Sequence, residues 1–171
     1  MHQSRATHWK LCVFALALAV ALPAVGRADD RVGAHFGFVL PIVTRADGHN
    51  TTLSDEFKIG FPTGITIKTS SPFAFDLELV PLIHSGTKAV DLTVHPGVLY
   101  NLGGRYTAGL RAAFDVNQRS WGFTPLFNIG FPQANGTTLF GEFDLPIRFQ
   151  RDDFDRGVTA VTAAVHLGWA F

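Results

Sequence analysis

From Val32 to Phe171 one pattern recurs along the chain: large apolar side chains at every second position. "VGAHFGFVLPIV" sets Val32, Ala34, Phe36, Phe38, Leu40 and Ile42 on one side. "FKIGFPTGITIK" does so with Phe57, Ile59, Phe61, Ile65 and Ile67, and "FAFDLELVPLI" with Phe73, Phe75, Leu77, Leu79 and Ile83. "VDLTVHPGVLY", "YTAGLRAAFDV", "WGFTPLFNIGF", "LFGEFDLPIRF" and the closing "AAVHLGWAF" repeat it. Period-two alternation over such lengths predicts strands with two unlike faces, and no window of helical period competes with it. The eight stretches run to about 10–12 residues, where a globular strand usually has about 5–6. That is the length a tilted strand needs to cross a bilayer.

The connections alternate too. "TSSP", "NLGG" and "PQANGT" are short and rich in turn formers. Between them come "RADGHNTTLSDE", "HSGTK", "NQRS" and "QRDDFDRG", which are more polar. Short turns on one side and charged loops on the other match the periplasmic and outer sides of an outer-membrane barrel. In hydrocarbon no backbone N–H or C=O can stay unpaired, so such a sheet must close on itself. Trp121, Tyr100, Tyr106 and Trp169 lie near stretch ends, where amphipathic rings meet a bilayer interface.

Residues 1–28 stand outside the pattern. Arg5 and Lys10 precede the apolar run "LCVFALALAVALPAV", and Gly26 and Ala28 are the small residues before a cleavage point. This predicts a secretory signal peptide over 1–28 and a mature chain over 29–171. Cys12 lies inside the apolar run, so the mature chain has no disulfide and no thiol chemistry. Of 14 basic residues, removal of Arg5, Lys10 and Arg27 leaves 11 against 14 acidic, a net of −3. That balance argues against a nucleic-acid partner.

Taken together, the repeated alternation, the leader and a last strand carrying Val165, Leu167, Trp169 and Phe171 resemble the small outer-membrane barrels of the OmpA and OmpX type. The resemblance implies an all-β fold: an eight-stranded antiparallel up-and-down transmembrane β-barrel, both termini periplasmic. It implies outer-membrane lipid as surroundings. It also implies that the barrel-assembly machinery reads Val165, Leu167, Trp169 and Phe171. The chain is expected to be a monomer, and is too short for the peptidoglycan-binding domain that often follows such barrels.

The other face carries His35, Lys58, Lys68, Asp76, Glu78, Asp91, His95, Arg111, Asp115, Glu142, Asp144, Arg148 and His166, interspersed with glycines. Buried charges persist when paired and hydrogen-bonded. An internal ion network is therefore expected, with Arg111 and Arg148 bridging Glu78, Glu142 and Asp144. In OmpA-type barrels such a network plugs the lumen, and the resemblance implies the same here. Glu142 and Asp144, two apart on one face, also have the spacing of a general acid–base pair, but a filled eight-stranded lumen leaves no room for a substrate. His35 and His166 fall on the first and last strands, which become neighbours on closure. A hydrogen-bonded imidazole pair is expected there. No third ligand at fixed spacing accompanies them, so no metal and no cofactor is expected. No nucleophile elbow, phosphate loop or Cys/His array occurs.

Six prolines fall inside the predicted strands: Pro41, Pro62, Pro81, Pro96, Pro125 and Pro146. Proline cannot donate to the ladder. Bulges in the wall are one reading. The other is a weakened seam for lateral entry, which resembles the lipid A palmitoyltransferases, although their interior is apolar and this one is charged. The expected role is non-enzymatic, structural or surface-presenting. The alternatives are a lipid-modifying enzyme with lateral entry, and a narrow channel for small polar solutes.

Overall fold

The computed structural model describes residues 31–151 and 156–171. The leader expected over 1–28 lies outside the described residues. Eleven strands follow one another: β1 (Val32–Ala46), β2 (His49–Thr52), β3 (Lys58–Gly60), β4 (Thr63–Lys68), β5 (Phe73–His84), β6 (Val90–Gly103), β7 (Tyr106–Asp115), β8 (Ser120–Pro132), β9 (Thr138–Asp144), β10 (Ile147–Arg151) and β11 (Gly157–Ala170). Every pairing is antiparallel, each crossing of the wall lies beside the next one in the chain, and β1 then pairs β11 from His35↔Ala170 to Ala46↔Ala160. The sheet therefore closes into an all-β barrel.

The eleven strands make eight crossings. β2, β3 and β4 together make one crossing alongside β1, with β3 and β4 interrupted at Phe61–Pro62, and β9 and β10 make another, interrupted at Leu145–Pro146. The register does not slip at either break. Lys58↔His84 continues as Thr63↔Leu79, and Asp144↔Leu126 continues as Ile147↔Phe123. Each break is the loss of one proline donor. The carbonyls beside it still work: Pro62 accepts from Gly37 N at 2.9 Å and Pro146 from Thr162 N at 2.8 Å. Pro81 and Pro125 likewise accept from Phe61 N and Leu145 N, each at 2.9 Å. Pro41 adjoins the one register shift between β1 and β11, before Val43. That bulge lets Ile42 and Val43 pass before Thr44 turns inward to meet Thr162, Oγ1 to Oγ1 at 2.9 Å.

One feature differs from the expected loops. The segment "RADGHNTT" is a hairpin, not a loop: β1 runs on into β2 through Asp47 and Gly48, both at positive φ (47° and 77°). A two-residue turn with both centres left-handed matches the twist of its strands, and Asp-Gly is the sequence that accepts it. Residues 152–155 of "QRDDFDRG" lie outside the described residues.

The barrel is apolar outside and polar within. Phe75, Leu77, Leu79, Val98, Leu110, Phe114, Phe127, Phe143, Val165 and Leu167 are exposed, whereas His35, Asp76, Glu78, His95, Arg111, Glu142, Asp144 and His166 are buried. A water-soluble barrel would invert this. Aromatic side chains gather at two heights. Phe36 stacks on Trp169 at 5.7 Å and Phe73 meets Tyr100 at 4.9 Å toward the chain ends; Trp121 meets Phe149 at 4.9 Å toward the far loops. Along β7, Tyr106 and Phe114 are eight residues apart, about 27 Å of strand and about 21 Å along an axis tilted by about 40°. That is comparable to the apolar band of outer-membrane barrels, about 25 Å.

Candidate functional site

The ladder sets which side chains can meet inside. In an antiparallel sheet a row of directly opposed residues crosses successive strands, all facing one way. One such row is His35, Gly64, Glu78 and His95; the next holds Thr66, Asp76, Gly97, Arg111 and Thr124; a third holds His166, Glu142 and Asn128. Polar groups placed in the rows by separate strands become one cluster at mid-height of the lumen.

Arg111, 3 % exposed, stands at its centre. Its Nε donates to Asp76 Oδ2 at 2.8 Å, and its Nη1 donates to Glu142 Oε1 at 2.7 Å. Nη1 also lies 3.6 Å from Glu78 Oε1 and 4.0 Å from Asp144 Oδ1. Glu78 is held from both sides, by His35 Nε2 at 3.2 Å and His95 Nδ1 at 3.3 Å. Glu142 Oε1 faces His166 Nδ1 at 3.3 Å, and its Oε2 accepts from Asn128 Nδ2 at 3.0 Å. Thr66 Oγ1 donates to Asp76 Oδ1 at 2.7 Å.

Glycines make room for these reaches. Arg111 and Asp76 are separated by β6, and the residue between them is Gly97, where an added Cβ would fall 2.6 Å from Arg111 Cγ. His35 and Glu78 are separated in the same way by Gly64.

Of the expected network, Arg111, Glu78, Glu142 and Asp144 come together. Arg148 does not join them. Its Nη2 lies 2.9 Å from His95 Nε2, its Nη1 donates to Thr124 Oγ1 at 3.2 Å, and its Nε is 3.9 Å from Asp115 Oδ2. The reason is its height. Arg148 stands four residues beyond Asp144, past Pro146, opposite Gly122 on β8, nearer the far loops. The imidazole pair is also corrected. His35 and His166 are on adjacent strands, but His166 opposes Val39 and His35 opposes Ala170. Each turns to its own carboxylate, and Phe140 presents its ring at 6.3 Å from His35 and 5.0 Å from His166. Asp76 and His95 also belong to the cluster, with inward parity as the available signal, whereas Asp115 stands with Arg148 nearer the far loops.

Two cavities flank the cluster. One, about 510 Å³, opens toward the chain ends and is lined by Lys68, Asn101, Arg105 and Thr138, with Asp76 and Glu142 as its floor. The other, about 370 Å³, opens toward the far loops and is lined by Lys58, His84, Asp91 and Gln150, with Glu78, Asp144 and His166 as its floor. Arg111 lines both. Glu142 and Asp144 do not form a free acid–base pair, because both Glu142 oxygens already accept hydrogen bonds.

At the last strand, Val165, Leu167, Trp169 and Phe171 all face outward and are exposed. Phe171 and Ala34 exchange two backbone hydrogen bonds, at 2.8 and 2.9 Å, which close the barrel at its rim.

No protein-family model matches the chain, and no curated protein does. Two solved structures are similar to it. A transmembrane β-barrel designed de novo is 11% identical, with a TM-score of 0.45, over 84% of this chain and 98% of the other. The outer membrane protein AlkL, solved by solid-state NMR in DMPC bilayers, is 11% identical, with a TM-score of 0.39, over 86% of this chain and 93% of the other. The fold of the chain is an eight-crossing antiparallel barrel with an apolar outer wall and a charged interior.

Proposed function

We propose that the chain is an outer-membrane barrel of the OmpA and OmpX kind without enzymatic activity, its lumen closed at mid-height by the Arg111 cluster. Its role is structural: a stable wall that presents the β1–β2 hairpin and the neighbouring loops outward. Its termini face the periplasm and its last strand is the assembly signal. The observation that carries this reading is Arg111 with four carboxylates within 4.0 Å, between two cavities that share it as a lining residue. A guanidinium so held is the least movable part of the lumen, because releasing it would leave several buried charges without a partner. The unbroken register across Pro62 and Pro146 supports a sealed wall rather than lateral lipid entry.

Planar-bilayer conductance tests this directly. The wild type should show no steady single-channel current, and Arg111→Ala, folded in detergent, should show one. Steady cation current through the wild type would replace the plugged barrel with the narrow channel. Release of fatty acid from, or acyl transfer between, outer-membrane lipids by the purified protein would replace it with the enzyme.

A further inference from the structure

The two cavities that flank the Arg111 cluster are joined through one imidazole. His35, Thr66 and Asp76 line the cavity toward the chain ends, and Glu78 and His95 line the cavity toward the far loops. His35 Nδ1 lies 3.5 Å from Thr66 Oγ1 and 3.9 Å from Asp76 Oδ1. Its Nε2 lies 3.2 Å from Glu78 Oε2. The two nitrogens of one ring therefore face proton acceptors that belong to different cavities. The row fixes this contact: Gly64 stands between His35 and Glu78, and a Cβ there would fall 2.6 Å from His35 Nε2.

The neighbours decide what can cross. The hydrogen bonds of Arg111 go to Asp76 and Glu142, whereas Glu78 stands 3.6 Å from Nη1 and is held by imidazoles at both oxygens, His35 at Oε2 and His95 at Oε1. His95 is a positioning residue here, its Nε2 fixed by Arg148 at 2.9 Å. Arg111 lines both cavities, and its fixed charge opposes a hydrated cation moving between them. A proton handed from one hydrogen-bonded group to the next displaces no side chain. His166 lacks such a path. Its Nδ1 faces Glu142 at 3.3 Å, but its Nε2 is buried with no hydrogen-bond partner among the described residues.

We propose that His35 and Glu78 form a proton relay through the plug, so that protons pass between the two cavities while other ions do not. The inference rests on the plugged lumen proposed above. Imidazole suits the task because it accepts a proton at one nitrogen and releases one from the other near neutral pH. In one transfer, water in the cavity toward the chain ends gives a proton to His35 Nδ1, and the Nε2–H proton passes to Glu78 Oε2. Glu78 then loses that proton to water in the cavity toward the far loops. One proton enters and one leaves, and a turn of the ring restores the first tautomer. The same steps run in reverse when the gradient is reversed.

The test uses the purified protein in phosphatidylcholine vesicles loaded with KCl and the pH dye pyranine. Dilution into NaCl with valinomycin sets a negative potential inside, and the dye should report proton entry faster than in protein-free vesicles. Without valinomycin, a potassium electrode should record K⁺ release at the protein-free rate. Carboxamides keep hydrogen-bonding capacity but do not relay protons, so His35→Gln and Glu78→Gln should each reduce proton entry to the protein-free rate. His84→Gln, at the rim beside Glu56 and Asp91, should conduct as the wild type does. Heat-modifiable gel migration verifies that each variant is folded, and His35→Gln alone decides if Glu78→Gln does not fold. Wild-type proton entry at the protein-free rate would overturn the relay and leave the plug standing. K⁺ release from wild-type vesicles would overturn the plug and the relay together. Unchanged proton entry in folded His35→Gln, or an equal loss in His84→Gln, would overturn the assignment to His35.

Discussion

Arg111 reaches Asp76 across the width of a strand. Its Nε donates to Asp76 Oδ2 at 2.8 Å, and the residue that lies between them on the same row is Gly97. The absent side chain is what permits the contact, since a Cβ at 97 would meet Arg111 Cγ at 2.6 Å and the Leu110 carbonyl at 2.9 Å. Gly97→Ala should therefore displace the Arg111 stem and destabilise the barrel by about 1–3 kcal/mol. Urea unfolding in detergent measures it, and a variant as stable as the wild type would contradict this account of the row.

Arg111→Met should be among the most damaging single changes in the lumen. It leaves Asp76, Glu78, Glu142 and Asp144 without their common cation, and removing one partner of a buried ion pair costs about 3–5 kcal/mol. Adding Glu142→Leu to it should recover part of the loss, because one orphan charge disappears. A double-mutant cycle should then be strongly non-additive. Additive effects below about 1 kcal/mol would mean that water fills the lumen and hydrates these groups.

Arg148→Met should be milder. Its side chain is more exposed than that of Arg111, and among the described residues its nearest carboxylate is 3.9 Å away and its shortest contacts are to His95 and Thr124. A loss of about 1–2 kcal/mol is expected, the value of a partly buried hydrogen-bonding charge. Equal losses for Arg148→Met and Arg111→Met would contradict the separation of the two arginines in height.

Phe171→Ala keeps both backbone bonds to Ala34 but removes the ring that lies 6.2 Å from Phe36. Outer-membrane levels should fall while stability of the folded barrel in detergent changes by less than about 1 kcal/mol. Unchanged membrane levels would remove Phe171 from the assembly signal.

At the far loops, the hydrogen bond with His84 holds the Glu56 carboxyl below its ordinary range, with help from Lys58 at 2.9 Å. A carboxyl depressed on folding stabilises the loop above its unfolded value, and that contribution is lost as pH falls through the folded one. Amide exchange at residues 53–57 should accelerate in mild acid. Glu56→Gln should show at neutral pH the faster exchange that the wild type reaches only in acid, and a wild-type loop with no acid dependence would contradict the contact.

Alternation by itself determined the fold of this chain. A period of two does not depend on partners, so eight amphipathic stretches, their outward faces and the inward parity of Asp76, Arg111, Glu142 and His166 were all legible in the sequence. Closure followed as well, because unpaired backbone is intolerable in hydrocarbon. Only the tertiary structure decided who meets whom inside. A one-residue change of register reverses every face, and a change of two moves each side chain about 7 Å along its neighbour. Sequence separation carries no information about rows that cross strands. That is why Arg148, four residues past Asp144, stands beside His95 and Asp115, and why His35 and His166 on adjacent strands address different carboxylates. The grouping of Glu142, Asp144 and His166 has the same origin: β9 runs on into β10, β11 returns antiparallel along both, and no spacing along the chain records which residues then face each other.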